Sequence, residues 1–279
     1  MEKKEIHAAV TIVFASMLTV FAMTGGNTQR GEMRQIQDSI RNLRRVDNLR
    51  FSYSYTVSDK NEKITNRTEV WSDQLTGSWA AEYYTTDADG TRLYLRRFCD
   101  GKAVYTYIDW SGEWEKQGVG AELEVPCMED ITVIDYGDSD IVDIKSEREN
   151  GIMKISYNLA PEYLTAMSEE NLASIEAYYG NYHALGDDGE DDSMGLAVAQ
   201  YRQMRIGDAS VVYKIDENEI LYSGTCFFEI IQPGIVTGED GSRQLGEEQK
   251  IQNLLTFQII GYDQDSILDK IEQWESEIE

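Results

Sequence analysis

The chain has two histidines, His7 and His183, so catalysis by a histidine base would depend on one of them. A serine or cysteine nucleophile needs such a base within hydrogen-bonding reach. His7 lies in an N-terminal apolar segment, and His183 precedes an acidic stretch without a glycine-serine-glycine elbow. The sequence also lacks a Walker loop, a dinucleotide fingerprint and a zinc-protease helix. We therefore predict that the chain is not an enzyme, has no catalytic residues and needs no cofactor.

The acidic side chains are too numerous to single out a catalytic pair. The chain has 51 Asp and Glu against 25 Lys and Arg, which gives a net charge of −26. Such a surface repels phosphates, so we predict no nucleic-acid partner. The densest acidic run, residues 187–192, offers oxygen ligands of the kind that calcium prefers but lacks EF-hand spacing. A solvated loop is the alternative, and we predict no metal site.

Three cysteines, Cys99, Cys127 and Cys226, bound the redox chemistry. Because their number is odd, at least one thiol stays unpaired within the chain. The sequence does not decide whether two of the three form a disulfide. The sequence has no CxxC pair and no Cys/His cluster, so it does not indicate zinc.

Aromatic side chains near the N-terminus of the mature chain are the remaining candidates for a site. The chain has 17 tyrosines, and many fall in alternating apolar patterns. Aromatic rings on a strand face either pack against helices as core or line a concave surface for an apolar ligand or a peptide. The predicted ligand-binding residues are Phe51, Tyr53, Tyr55, Trp71, Trp79 and Tyr83.

Residues 1–24 have the order of an export signal. Lys3 and Lys4 precede an apolar stretch from Ala8 to Met23, and small residues follow. This order predicts a signal peptide; the stretch is borderline in length for a membrane span, so an uncleaved signal anchor is the alternative. We predict an extracytoplasmic protein, secreted or anchored in the cell envelope, which contacts the membrane only through this segment if it is retained. The cysteine that would anchor a lipoprotein is missing after the apolar run.

Three helices are predicted in the rest of the chain. Met33, Ile36, Ile40, Leu43 and Val46 recur at helical spacing and predict a helix over residues 32–48. Pro161 suits a first helical turn and Gly180 a helix end, which predicts a central helix over residues 161–179. The spacing of Ile267, Ile271, Trp274 and Ile278 predicts a C-terminal helix over residues 265–278.

Between the helices the period changes to two, which is typical of strands. Leu49 to Ser58 alternate apolar and polar side chains, and Asp-Gly and Asn-Gly pairs mark hairpin turns further on. The predicted strands are residues 49–58, 63–72, 78–86, 91–99, 102–109, 141–149, 152–159, 210–216, 220–232 and 251–259. Strands at this spacing form an antiparallel meander, so residues 25–279 are predicted to be one α+β domain.

The order of elements resembles a known superfamily. Trp recurs near turns, as in Val70-Trp71-Ser72-Asp73, and the hairpin Phe98-Cys99-Asp100-Gly101-Lys102 is followed by tyrosines. Val211 to Asp216 then runs into a polar turn and another strand. This pattern resembles the LolA/LppX-like lipoprotein carrier superfamily and its uncharacterised exported bacterial relatives. The resemblance implies a mostly antiparallel curved sheet, an incomplete β-barrel covered by helices, with an apolar ligand between them.

Two functions follow as hypotheses. The first is a non-catalytic extracytoplasmic binding protein for an apolar or amphiphilic ligand such as a lipid. The alternative is a cell-envelope interaction or sensing module, whose core is closed and whose acidic surface binds a protein partner of unknown identity. An open apolar space between sheet and helices favours the first, and a fully packed interior favours the second.

Overall fold

The computed structural model describes residues 31–108, 111–118, 123–128, 138–184, 196, 199–238 and 241–278. The predicted leader, residues 1–24, and the acidic run, residues 187–192, lie outside these ranges. The statements below concern the described residues.

Eleven strands form one antiparallel sheet. Each strand pairs with its neighbours in the order β6-β5-β4-β3-β2-β1-β11-β10-β9-β8-β7, so β6 and β7 are the edges and the sheet is open. The strands are β1 (Asn48–Ser58), β2 (Lys63–Asp73), β3 (Ser78–Asp87), β4 (Gly90–Asp100), β5 (Val104–Ile108), β6 (Glu113–Lys116), β7 (Ile141–Glu149), β8 (Ile152–Leu159), β9 (Arg205–Ile215), β10 (Leu221–Thr237) and β11 (Arg243–Gly261). The predicted antiparallel arrangement is therefore confirmed. The sequence pattern missed β6 and underestimated the lengths of β9, β10 and β11.

Three helices accompany the sheet: α1 (Gly31–Leu43), α2 (Pro161–Ala184) and α3 (Gln264–Ile278). The predicted extension of the first helix to residue 48 is wrong. After Leu43 the chain turns, with the amides of Arg45 and Val46 bonded to the carbonyls of Asn42 and Leu43, and β1 begins at Asn48. The helix ends before residue 48 because residues 48–58 form β1, whose backbone pairs with β2 and β11.

The predicted end of the central helix at Gly180 is also wrong, because α2 continues to Ala184. Glycine lacks only the side chain, and its backbone amide and carbonyl still make helical hydrogen bonds. Its cost in a helix interior is about 1 kcal/mol, which a helix of this length tolerates.

The two faces of the sheet carry different helices. On one face, Met33, Ile36, Ile40 and Leu43 of α1 and Leu164 of α2 join a large apolar cluster with strand residues such as Phe51. On the opposite face, Ile267, Ile271 and Trp274 of α3 pack with Trp71, Ala80 and Phe98. We call the first the N-helix face and the second the C-helix face. Helices α1 and α2 chiefly contact β9 and β10, whereas α3 contacts β1 to β4 and β6.

Candidate functional site

A row of directly paired residues crosses seven strands on the N-helix face. Its members, which we call the aromatic row, are Tyr83, Thr68, Tyr53, Phe257, Gly224, Tyr213 and Ile155. Gly224 makes room in this row because an added Cβ would lie 3.1 Å from a ring carbon of Tyr213. Strands lie about 4.8 Å apart, so the row spans about 29 Å of the sheet.

Several side chains on this face are only half-buried. Five residues of the N-helix face stay partly open to solvent: Tyr53 and Tyr55 on β1, Tyr83 on β3, and Cys226 and Phe228 on β10. We call these five residues the half-buried patch. Since α1 and α2 chiefly contact β9 and β10, most of the patch is not packed directly under a helix backbone.

The six residues predicted from the sequence fall into three groups. Tyr53, Tyr55 and Tyr83 belong to the half-buried patch. Phe51 and Trp79 lie on the same face but are fully buried, so they belong to the hydrophobic core. The sixth, Trp71, lies on the C-helix face, where it packs with α3. The structure therefore places five of the six on one face of the sheet and Trp71 on the other.

Tyr55 and Cys226 are closely surrounded by protein atoms although each side chain stays partly exposed. The Tyr55 hydroxyl donates a 2.7 Å hydrogen bond to Oδ1 of Asn253, which is fully buried. Burial raises the pKa of Tyr55 and raises that of the Cys226 thiol to about 12. Cys99, Cys127 and Cys226 are all free thiols, so no disulfide joins them.

Arg97, which the sequence pattern did not indicate as a site residue, lies in β4 on the N-helix face. It pairs with Ala81 on β3, and its guanidinium carbon is 5.7 Å from the centre of the Trp79 ring. The Tyr83 side chain lies beside it, and the Tyr94 ring is 6.3 Å from the Tyr83 ring between centroids. Burial raises the pKa of Tyr83 to about 12, an effect that the Arg97 charge opposes. We call Trp79, Tyr83, Tyr94 and Arg97 the Arg97 cluster.

The C-helix face holds a contrasting set of charges. Lys270 of α3 lies 2.7 Å from a Glu82 oxygen and 5.0 Å and 4.6 Å from the Trp71 and Trp274 ring centres. Arg50 forms an ion pair with Glu69 and lies 5.0 Å from the Trp71 ring centre. Both cations have a carboxylate and an aromatic ring as partners, and the contacts of Lys270 join α3 to the sheet.

A polar groove of about 320 Å³ lies near the β7 edge. Asp143, Lys145, Ser156, Asn158 and Ser210 are among its lining residues. Asp143 has a φ of 56° at an irregular point in the pairing of β7 with β8. The groove is shallow, and its one side-chain contact of note is a long 3.4 Å hydrogen bond from Asn158 to Asp143.

Within the described ranges, no group of three or more His, Cys, Asp or Glu side chains is arranged to hold a metal ion. Among the helices described, none is both long and apolar enough to cross a membrane. His183 lies in the last turn of α2.

No protein-family model matches the chain. No curated protein matches it either. Among solved structures, a LolA superfamily protein from Nitrosomonas europaea is similar at 10% identity and a TM-score of 0.25, covering 80% of this chain and 90% of that one. A DUF1329 family protein from Desulfovibrio piger has 8% identity and a TM-score of 0.24, with 84% and 98% covered.

The Pseudomonas aeruginosa MucA/MucB complex also includes a similar chain, at 9% identity and a TM-score of 0.21, with 83% and 96% covered. TM-scores this low decide nothing about ligand, partner or activity.

Proposed function

We propose that this chain is a non-catalytic extracytoplasmic binding protein that holds an apolar or amphiphilic ligand, such as a lipid, on the N-helix face. The half-buried patch is the observation that carries this proposal. Its aromatic rings and thiol lie next to a continuous apolar core, yet they remain open to contact. A ligand that covered them would extend this core outward.

Burial of apolar area supplies the binding energy in this mechanism. Each 100 Å² of apolar surface that the ligand covers contributes about 2.5 kcal/mol, before the loss of freedom of ligand and side chains is subtracted. The rings of Tyr53 and Tyr83 suit the apolar part of an amphiphile.

Native mass spectrometry of the purified full-length chain tests the proposal directly. We expect species with the added mass of a co-purified lipid, which organic extraction removes. A titration with dansylated undecanoic acid then measures binding to the extracted protein by fluorescence. A chain that carries no added mass and does not bind the probe rules the proposal out.

Phe227 and Phe228 provide a matched pair of variants for locating the site. They are neighbours on β10, both half-buried, and they face opposite sides of the sheet. We expect F228R to weaken probe binding about tenfold or more, because a charge enters the apolar site, and F227R to leave it within about twofold. Equal losses in both variants would exclude the N-helix face as the site.

The second proposal is an interaction or sensing module, which the packing at the α1 end favours. Met33, Ile36, Leu43, Phe51 and Trp79 are fully buried there, so the protein's own side chains fill that part of the interior. A protein that shows no added mass but retains a partner through its acidic surface would support this function.

A further inference from the structure

The surroundings of Arg97 differ from those of Arg50 and Lys270, the two semi-buried cations that form ion pairs on the C-helix face. The chain has twice as many acidic as basic residues, and on the C-helix face Arg50 and Lys270 each form an ion pair with a carboxylate. Among the described residues, no carboxylate forms an ion pair with Arg97. Its neighbours are the Trp79 ring and the Tyr83 side chain, whose hydroxyl accepts a hydrogen bond from it.

An arginine in this position keeps its charge. Guanidinium groups remain protonated throughout the physiological pH range, and a charge taken partly out of water is normally paired with an opposite charge. The face of an indole ring compensates only about 0.5–2 kcal/mol of this cost. The planar donors of Arg97 are therefore well suited to a carboxylate or phosphate supplied from outside the chain.

A β-bulge brings an additional aromatic residue to the same place. On β3, Tyr83 pairs with Leu95 and Tyr84 pairs with Leu93, so Tyr94 is the extra residue of β4. Bulges redirect side chains and occur often beside functional sites. Here the Tyr94 side chain, which is 49% exposed, lies next to Tyr83.

We propose that Arg97 binds the anionic head of an amphiphilic ligand whose apolar chain lies on the half-buried patch. This inference rests on the proposed function and specifies its ligand as an anionic amphiphile with a carboxylate or phosphate head. Tyr83 belongs to both sets of residues, so the head and the chain of one molecule reach adjoining surfaces. The overall charge of −26 disfavours anions at the outer surface, and Arg97 provides a local exception.

The test compares dansylated undecanoic acid with its methyl ester, which lacks the charge. We expect the wild-type chain to bind the acid about tenfold more tightly than the ester, since a charge-assisted hydrogen bond is worth at least that factor. R97Q removes the difference. R96Q is the matched control, because Arg96 is the adjacent residue, faces the opposite side of the sheet and lies over the Tyr107 ring.

The outcomes separate this inference from the proposed function. If the acid and the ester bind equally well, or if R97Q keeps the preference for the acid, the Arg97 assignment is overturned while the apolar site stands. If neither probe binds, both are overturned. The last experiment measures thermal unfolding in the presence of inorganic phosphate. Thermal stabilisation by phosphate in the wild type but not in R97Q, without any preference for the acid over the ester, would assign a free anion and overturn the amphiphile.

Discussion

Lys270 of α3 lies with its ammonium nitrogen 2.7 Å from an oxygen of Glu82 on β3, between the rings of Trp71 and Trp274. Both side chains are largely shielded, at 22% and 14% exposure. This contact fastens the C-terminal helix to strands that are far away in the sequence. Trp71 packs against this helix on the C-helix face.

The first prediction is that K270M lowers the free energy of unfolding by about 2 kcal/mol, because Glu82 loses a charged hydrogen-bond donor while staying shielded. Urea unfolding followed by tryptophan fluorescence measures the change. K250M is the matched control, since Lys250 is 67% exposed in its ion pair with Glu229. We expect the control to change stability by less than about 1 kcal/mol, and equal effects would contradict the prediction.

The second prediction concerns acid stability. Burial raises the pKa of Glu82, but hydrogen bonds from Lys270 and Tyr84 and the charges of Lys270 and Arg96 outweigh it, so the pKa lies below 4.5. A group with a lowered pKa in the folded state stabilises the fold above its unfolded pKa and loses this contribution as the pH falls through the folded pKa. The free energy of unfolding of E82Q should therefore fall less steeply than that of the wild type as the pH is lowered from about 5 to 3. Parallel stability curves would refute the assignment.

The sequence predicted the hairpins because their turns are local. Asn150 and Gly151 have φ values of 50° and 82°, as the Asn-Gly turn requires. The strands on either side accordingly match the predicted residues 141–149 and 152–159. The lengths of β10 and β11 depend instead on pairing between distant segments, so local patterns underestimated them.

The assignment of residues to faces was predictable only in part. Period-two alternation places Val70 and Trp71 on opposite faces, but it does not tell which helix covers which face. That choice depends on long-range contacts such as the one between Lys270 and Glu82. Arg97 was missed for a related reason, because a charged residue in a strand is normally expected to point to solvent, and the bulge at Tyr94 interrupts the alternation beside it.

The third prediction uses two glycines in facing turns. Gly101 has a φ of +81°, and a Cβ there would lie 2.5 Å from the carbonyl oxygen of Thr76. Gly77 has a similar φ of +74°, but its nearest neighbour, Gly101 Cα, is 3.8 Å away. We expect G77A to cost about 1 kcal/mol from backbone strain alone and G101A about 3 kcal/mol or more, because the turn must also move. Thermal unfolding of both variants checks the order, and a larger loss in G77A would contradict it.

The fourth prediction is low thiol reactivity in the folded chain. Burial raises the pKa of Cys226 to about 12 and also raises that of Cys99. Since the thiolate is the reactive form, the raised pKa leaves only a small reactive fraction of Cys226 at pH 8. Iodoacetamide treatment and peptide mapping should leave both residues unmodified until urea unfolds the chain. Rapid labelling of Cys226 under native conditions would show that this part of the N-helix face is wetter than its packing indicates.

The fifth prediction concerns the hydrogen bond from Tyr55 to Asn253. Y55F removes the donor from a fully buried amide oxygen and should lower the free energy of unfolding by about 1–2 kcal/mol. Y94F, at a half-exposed tyrosine, is the control and should cost less than about 0.5 kcal/mol. The double variant Y55F/N253L should lose less stability than the sum of the two single variants. Each single change leaves one buried polar group without its partner, whereas the double change removes both groups. Strictly additive losses in urea unfolding would mean that the two side chains contribute independently and that this contact does not hold β1 to β11.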